Sequence, residues 1–243
     1  MYKIKKMSRK YIDIALLVVG IIAVLLAIKT SHDPFPWNST HPLIEFLEDL
    51  FDKFETGNEV IFSLSVGSAV SILFYFLIVW YPERRKRKIL RESLKQNYYR
   101  FRLSTIGILL HSSDHCCDSH LQQKLNDPKE FRKYFQEDVT GSGERWYDVQ
   151  NNLEECHLQE LRIELEILRD ELAYIISQID ISEPKTLDFF KNLSKYVYRM
   201  KQKSLEYDDV KSLSGFLWEI FANWDFSTGY VEEDIIEKMI QKI

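Results

Sequence analysis

The chain has 243 residues, of which 45% are hydrophobic and 28% are charged, and it carries a formal net charge of −5. The charge is unevenly distributed: residues 82–102 hold nine basic and two acidic side chains, whereas residues 103–243 hold 16 basic and 27 acidic ones. The acidic part repels polyanions, which excludes extended nucleic-acid binding there and leaves room only for a small pocket that takes a phosphorylated ligand.

Two apolar segments, residues 11–28 and residues 60–81, are each long enough for a helix to cross about 30 Å of hydrocarbon. Because backbone polar groups in lipid must pair internally, we expect both segments to be transmembrane helices. The rival interpretation is a cleaved signal peptide over residues 1–28. No small-x-small cleavage pattern follows Ile28, which favours the transmembrane helix.

Basic residues flank both segments on the side away from the connecting loop. The basic N-terminus, residues 1–10, holds five of them, and residues 84–88 read Arg-Arg-Lys-Arg-Lys, whereas residues 30–59 hold one lysine and seven acidic residues. The positive-inside rule then predicts a protein of the cell (inner) membrane with both termini in the cytoplasm and an extracytoplasmic loop, 29–59. Apolar residues from Pro42 to Phe54 share one helical face, which predicts a short amphipathic helix within that loop.

The second apolar segment is expected to continue into a basic juxtamembrane helix over residues 82–112, with a kink or a fresh helix start at Pro82. The basic run of this helix consists of Arg84, Arg85, Lys86, Arg87 and Lys88. One interpretation makes the run a topology determinant that contacts anionic lipid, at about 1 kcal/mol per charge. The other makes it a gate or ligand-binding collar around a central opening.

Residues 113–243 are predicted to form a cytoplasmic all-helical domain, because no alternating strand pattern competes with the helical periodicity. Helices are expected over residues 128–138, 144–179, 184–203, 207–224 and 231–243. The predicted fold class is therefore all-α, with an N-terminal two-helix transmembrane hairpin followed by a cytoplasmic helical bundle.

The predicted helix over residues 144–179 carries a heptad-like seam from Leu158 to Ile179, with spacings that alternate between three and four. Further isoleucines widen the stripe at Ile163, Ile167 and Ile176. A wide stripe favours a position in the core of a bundle, and the alternative is self-association or the binding of a protein partner. The candidate partner seam consists of Leu161, Leu165, Leu168 and Leu172.

Small residues are dense in the second apolar segment, where Ser63, Gly67 and Ser71 are four residues apart and Ser68 lies between them. Such stripes let helices approach closely in lipid. The stripe is expected either to pack against the first segment or to line a pore in a ring of subunits. Asp13, near the inner end of the first segment, is expected to pair with a basic neighbour or to form a charged ring at an inner mouth.

Histidines and cysteines concentrate between residues 111 and 157, where all three cysteines and four of the six histidines lie. The candidate metal ligands are His111, His115, Cys117, His120, Cys156 and His157. Their spacings suit zinc, and the alternative is a solvated loop with cysteines in the core. We expect no disulfides, because all three cysteines lie on the predicted cytoplasmic side. We expect no other cofactor and no enzymatic activity, because no catalytic motif occurs, and the alternative is a metal-dependent or hydrolytic activity at the histidine and cysteine cluster. No catalytic residue is assigned.

In layout, this hairpin, basic juxtamembrane helix and helical domain resemble the small two-span effectors of bacterial antiphage defence, such as the SLATT-type proteins. The resemblance implies a homo-oligomer that opens or disrupts the membrane when a cytoplasmic protein partner or a small signalling ligand acts on the helical domain. The alternative function is a membrane-anchored scaffold or adaptor, in which the hairpin only tethers the bundle to the membrane.

Overall fold

The computed structural model describes residues 9–31, 54, 56–113, 118–138, 141, 143–181 and 183–243. Within these residues the chain is mostly helical, as the sequence predicts, with one short β-hairpin. The chain divides into two compact units, Met1–Lys86 and Arg87–Ile243.

Two apolar helices form most of the described part of the first unit: α1, Arg9–Thr30, and α2, Asn58–Tyr75. Both are long and apolar enough to cross a membrane. Their most apolar windows are only 11% and 6% buried, whereas the core helix of a soluble protein hides its apolar stripe. Residues 42–53 of the predicted amphipathic helix lie outside the described residues.

A five-residue π-helical segment, Phe76–Trp80, follows α2 and leads into α3, Tyr81–Ser112. The Tyr81 N–H donates to the Phe76 carbonyl, five residues back. Pro82 accounts for this wider turn, because proline has no N–H to donate and its ring crowds the carbonyl four residues earlier. Helix α3 contains the helix predicted over residues 82–112, and the π segment accommodates the proline.

The second unit contains α3 from Arg87 onward and a series of shorter elements. These are α4 (Ser119–Lys124), α5 (Pro128–Gln136), α6 (Arg145–Asn151), α7 (Glu155–Gln178), α8 (Pro184–Lys201), α9 (Tyr207–Phe221), β1 (Trp224–Asp225), β2 (Gly229–Tyr230) and α10 (Ile235–Ile240). Aspartate carboxylates accept from the first backbone N–H groups of three of these helices. The capping residues are Asp118, Asp127 and Asp234.

The structure differs from the predicted single helix over residues 144–179, because the backbone leaves the helix between α6 and α7. Glu154 and His157 form a capping box there: the Glu154 side chain accepts from the backbone of His157, and the imidazole accepts from the Glu154 N–H. Leu153 in the break is itself apolar, so the hydrophobic pattern does not reveal the interruption.

The predicted helix over residues 207–224 ends earlier, at Phe221, and a two-stranded hairpin follows it. Asn223 has a φ of 49°, in the left-handed region that asparagine tolerates better than most residues. In the hairpin Trp224 pairs with Tyr230 and Asp225 with Gly229. The all-α expectation therefore misses one small β element.

The core of the second unit is built around the leucine seam of α7. Leu161, Leu165, Leu168 and Leu172 are each at most 2% exposed, so they belong to the core and offer no surface to a partner. The expectation that two further isoleucines widen the buried stripe is wrong, because Ile163 is 57% exposed and Ile167 is 53% exposed. Burial of a leucine contributes about 1.5–3 kcal/mol relative to exposure.

An aromatic cluster forms the other half of this core, with Phe131 at its centre. The Phe131 ring lies 4.6 Å from that of Phe135 and 5.5 Å from that of Phe221, measured between centroids. Trp146 and Trp218 complete the cluster, with centroids 5.0 Å apart. These side chains come from α5, α6 and α9, so the cluster joins elements distant in sequence.

Candidate functional site

The face of α2 that contacts α1 is narrow. Ser65 on α2 and Ala23 on α1 are each 6% exposed. A Cβ atom at Gly20 would lie 3.1 Å from Cγ2 of Ile72, so the absence of a side chain at Gly20 allows the close approach.

Asp13 is held within this same pair of helices. The Tyr75 hydroxyl donates a hydrogen bond to Asp13 Oδ1 at 3.0 Å, which satisfies one oxygen of a half-buried carboxylate. The sequence predicts a basic side chain as the partner of Asp13, whereas the structure shows the hydroxyl of Tyr75 on α2 in that role. Because the Asp13 and Tyr75 contact and the Gly20 and Ile72 contact run in opposite directions along the two helices, α1 and α2 are antiparallel.

The small-residue stripe lies on a different face of α2. Ser63, Gly67, Ser68 and Ser71 are all exposed. A Cβ atom at Gly67 would have no neighbour within 4 Å among the described residues. The Ser71 hydroxyl donates to the Gly67 carbonyl at 2.8 Å, so its hydrogen-bonding need is met within the helix. The stripe therefore does not form the contact between α1 and α2.

The five residues of the basic run, 84–88, do not all have the same kind of environment. Arg84 places its guanidinium 4.4 Å from the centroid of the Trp80 ring, and Arg85, Lys86 and Lys88 are exposed. Arg87 differs, because it donates to the Asp180 carbonyl at 2.8 Å, at the end of α7. The run therefore presents most of its charge outward, while Arg87 has a structural contact within the second unit.

A cavity of about 610 Å³ lies in the second unit, between α3 and the C-terminal segment. Arg102, only 4% exposed, forms part of its wall. Its guanidinium donates to Asp234 Oδ2 at 2.8 Å and to both Oδ1 and the carbonyl of Asn126 at 2.8 Å. The Tyr98 hydroxyl donates to the same Asp234 oxygen at 2.7 Å.

Burial dominates the electrostatics of this network. It raises the pKa of the Tyr98 phenol, which therefore stays a protonated donor. Removing one partner of a buried ion pair costs about 3–5 kcal/mol, because the other charge is then left uncompensated. The Arg102–Asp234 pair thus fixes the C-terminal segment against α3.

Sequence reasoning does not identify this network. Arg102 is one of nine basic residues in residues 82–102, and Asp234 closes a run of three acids. One signal is available in retrospect: Arg102 lies on the same helical face as Leu94, Tyr98 and Phe101, all of which are buried. A lone charge on an apolar face indicates a buried ion pair.

The four candidate metal ligands that the structure describes lie in separate regions. Glu154, Cys156 and His157 offer three ligand atoms that all lie within 4.8 Å of one another. Sequence reasoning includes the cysteine and the histidine but not Glu154. His157 Nδ1 already accepts from the Glu154 N–H at 3.2 Å, which gives the arrangement a structural role.

Among the described residues, His111 and His120 are not part of this group. His111 lines a separate cavity of about 380 Å³, together with Glu160 and Glu164 from α7. Burial raises the pKa of the Glu164 carboxyl. His120 lies at the start of α4, and His115 and Cys117 lie outside the described residues.

No protein-family model matches the chain, and neither the curated proteins nor the solved structures contain a match to it. What the chain does is therefore inferred from its own residues and their geometry.

Proposed function

We propose that the chain is a membrane protein that self-associates through α2 and acts as an oligomeric effector. In this proposal it forms or gates a pore, or perturbs the membrane, when the helical unit Arg87–Ile243 receives a signal. The observation that carries the proposal is the small-residue stripe of α2, which faces away from α1. Two helices cannot enclose a water path, so a pore requires several copies of the hairpin.

The exposed apolar surface supports the membrane location. Leu64 is 66% exposed and Ile78 is 67% exposed, and comparable side chains surround both helices. Water would be a poor solvent for such a surface, whereas lipid tails match it. Trp80 and Arg84 suit a membrane–water interface, where an aromatic ring and a cation together satisfy both environments.

The exposed stripe supports self-association. In lipid there is no hydrophobic force between helices, so association depends on close packing, which small residues permit. A shallow groove runs along α2 where small residues recur every four positions, at Ser63, Gly67 and Ser71. Helix α1 does not cover this groove. A second copy of the hairpin is the occupant that we propose for this groove.

The experiment compares two variants of the full chain reconstituted in liposomes. Gly67→Leu fills the groove, and we expect it to lower both the cross-linked oligomer fraction and ion flux by about tenfold, which corresponds to ~1.4 kcal/mol. Val66→Phe is the matched control, since it adds the same number of heavy atoms to a neighbouring exposed position on another face. Equal effects of the two variants would show that the stripe is not the contact.

A second experiment separates the effector from a scaffold. Residues 11–81 are replaced by an unrelated two-span hairpin that keeps the basic flanks. An effector loses ion flux in liposomes and, if it acts in antiphage defence as its layout implies, loses protection against phage in cells. A scaffold keeps its cellular function after the exchange.

A further inference from the structure

We propose that the helical unit Arg87–Ile243 binds a second copy of itself, with the exposed face of α3 in each copy lying against the exposed face of α7 in the other. This contact is additional to the one through α2 and does not depend on it. Two features support it: exposed apolar side chains on both helices, and opposite charges around them.

The surface of α7 lies opposite its leucine seam. Ile163, Ile167 and Tyr174 are 57%, 53% and 52% exposed, and their spacings of four and seven residues place them on one helical face. The outer face of a helix in a water-soluble domain is normally polar. Three large apolar side chains in one line therefore indicate a surface that another molecule covers.

The surface of α3 has the same character. Ile89 is 57% exposed and Tyr99 is 46% exposed, whereas Leu90, Leu94 and Phe101 on the opposite face are buried in the core. Helix α3 therefore satisfies its own unit with one apolar face and presents further apolar side chains to the outside.

The two helices lie side by side in the unit and run in opposite directions. Arg87 donates to the Asp180 carbonyl at 2.8 Å, and the Ser93 hydroxyl donates to Glu171 Oε1 at 3.1 Å. Later residues of α3 thus meet earlier residues of α7. A twofold axis between two copies then places each α3 against the partner's α7, which makes the contact reciprocal.

The charges around the surface of α7 are acidic. Glu160 and Asp170 are both exposed there. Among the described residues, Glu160 has no ion pair, and Asp170 pairs only with its chain neighbour Arg169, at 2.7 Å. Two α7 surfaces placed on each other would bring like charges together, which disfavours a contact of α7 with α7.

The charges around the surface of α3 are mainly basic. Between residues 88 and 100, the exposed charged residues are Lys88, Glu92, Lys95 and Arg100. Lys95 pairs with Glu237 at 3.0 Å, whereas Lys88 and Arg100 have no ion pair within the described part of the chain. The acidic α7 of a second copy supplies the carboxylates that these two cations lack, so charge complementarity favours α3 against α7.

The spacing of the charges also matches. Lys88 and Arg100 are 12 residues apart on α3, and Glu160 and Asp170 are 10 residues apart on α7. At about 1.5 Å per residue, the two pairs span about 18 Å and about 15 Å along their helices. Long lysine and arginine side chains bridge a difference of this size, so both ion pairs form together between two aligned helices.

The test exchanges the charges of the two surfaces in the full chain, and sedimentation equilibrium in a non-ionic detergent measures self-association. One variant combines Lys88→Glu with Arg100→Glu, and the other combines Glu160→Lys with Asp170→Lys. Each places like charges together, so each is expected to raise the apparent dissociation constant about tenfold.

Rescue separates this contact from misfolding or a general charge effect. A chain with all four substitutions restores opposite charges, and so does an equimolar mixture of the two variants. Both are expected to return to within about threefold of the parent dissociation constant. If neither variant weakens self-association, or if neither combination restores it, the proposal is overturned.

An apolar variant tests the other half of the contact. Ile167→Ser is expected to weaken self-association about tenfold, because the isoleucine is covered in the pair. Tyr207→Ser is the control, since Tyr207 is 78% exposed at the start of α9, and it is expected to change nothing. Equal effects of the two variants would contradict the assignment of the surface.

The outcome is also distinguishable from that of the α2 stripe. If Gly67→Leu acts no differently from Val66→Phe while the charge exchange weakens and restores self-association, the contact through α2 fails and the contact between the helical units stands. If Gly67→Leu alone acts, the reverse holds.

Discussion

The first unit exposes its apolar side chains at the surface, whereas the second unit buries them in a core. In the first, side chains such as Leu17 and Ile22 are about half exposed all around the helices, whereas in the second Phe131, Leu158 and Val197 are fully buried. The difference lies in periodicity: α1 is apolar on every face, while α7 confines its leucines to one stripe. The overall composition therefore does not reveal that one helical region suits lipid and the other suits water.

The polar contacts differ in the same way. In the described part of the first unit, a hydrogen bond from Tyr75 to Asp13 joins two helices whose other contact surface is apolar or small. The second unit concentrates polar groups around Arg102, where a buried charge is compensated from three directions. If the comparison is right, core and ion-pair substitutions in the second unit have large effects, and polar substitutions in the first have small ones.

The largest expected effect follows truncation of the aromatic core. Phe131→Ala is expected to lower the free energy of unfolding of the second unit by about 3–5 kcal/mol, because it removes a fully buried ring with four aromatic neighbours. Urea denaturation of the full chain in detergent measures it. Phe226→Ala is the control: this ring is 90% exposed, so a change within about 0.5 kcal/mol is expected. Similar losses for both would contradict the assignment of the core.

Removal of the buried cation is expected to rank next. Arg102→Met leaves the Asp234 carboxylate without its cation and should cost about 3 kcal/mol in the same measurement. Arg100→Met removes an exposed arginine two residues away and should change stability little. A loss as small as that of the control would mean that Arg102 is solvated rather than paired.

Loss of the hydrogen bond between α1 and α2 should have a smaller effect. Tyr75→Phe removes the donor to Asp13, and interhelical hydrogen bonds in membranes contribute about 0.6 kcal/mol on average. Unfolding by SDS titration in mixed micelles measures the change, with Tyr81→Phe, whose side chain is 58% exposed, as the control. A loss above about 2 kcal/mol would show that this pair of helices depends on its polar contact far more than the comparison implies.

The smallest effect concerns acid stability. Lys203 and then the backbone N–H and hydroxyl of Ser204 lower the pKa of Asp209 to about 2, from an ordinary value of 3.8. Because the pKa is lower in the folded state, this stabilisation is present above about pH 4 and is lost as the pH falls toward 2. Asp209→Asn should therefore reduce stability at pH 7 and converge with the parent near pH 2 in urea denaturation. A constant difference across this range would contradict the assignment.

Much of the secondary structure could be predicted from the sequence, for physical reasons. A long run of apolar residues with few charges specifies a helix long enough to cross a membrane, and α1 and α2 occupy such runs. The leucine stripe likewise identifies α7. The break before α7 escapes this reasoning, because Leu153 continues the apolar pattern while the capping box depends on His157, an unusual residue at that position.

The cavity network could not be predicted, because its partners are far apart in sequence. Arg102 and Asp234 are separated by 132 residues, and only the fold brings them together. Asn126 gives no sequence signal either, because its two contacts with Arg102 depend on the fold. Local periodicity identifies helices, whereas long-range polar contacts need the tertiary structure.

The aromatic core also gives the second unit an optical signature. Trp146 and Trp218 are 5.0 Å apart and tilted by 55°, close enough for their indole transitions to couple. Aromatic rings held in fixed tertiary packing give a near-ultraviolet circular dichroism signal, which is lost when that packing is lost. The melting of the helical unit can therefore be followed inside a lipid vesicle without any added label.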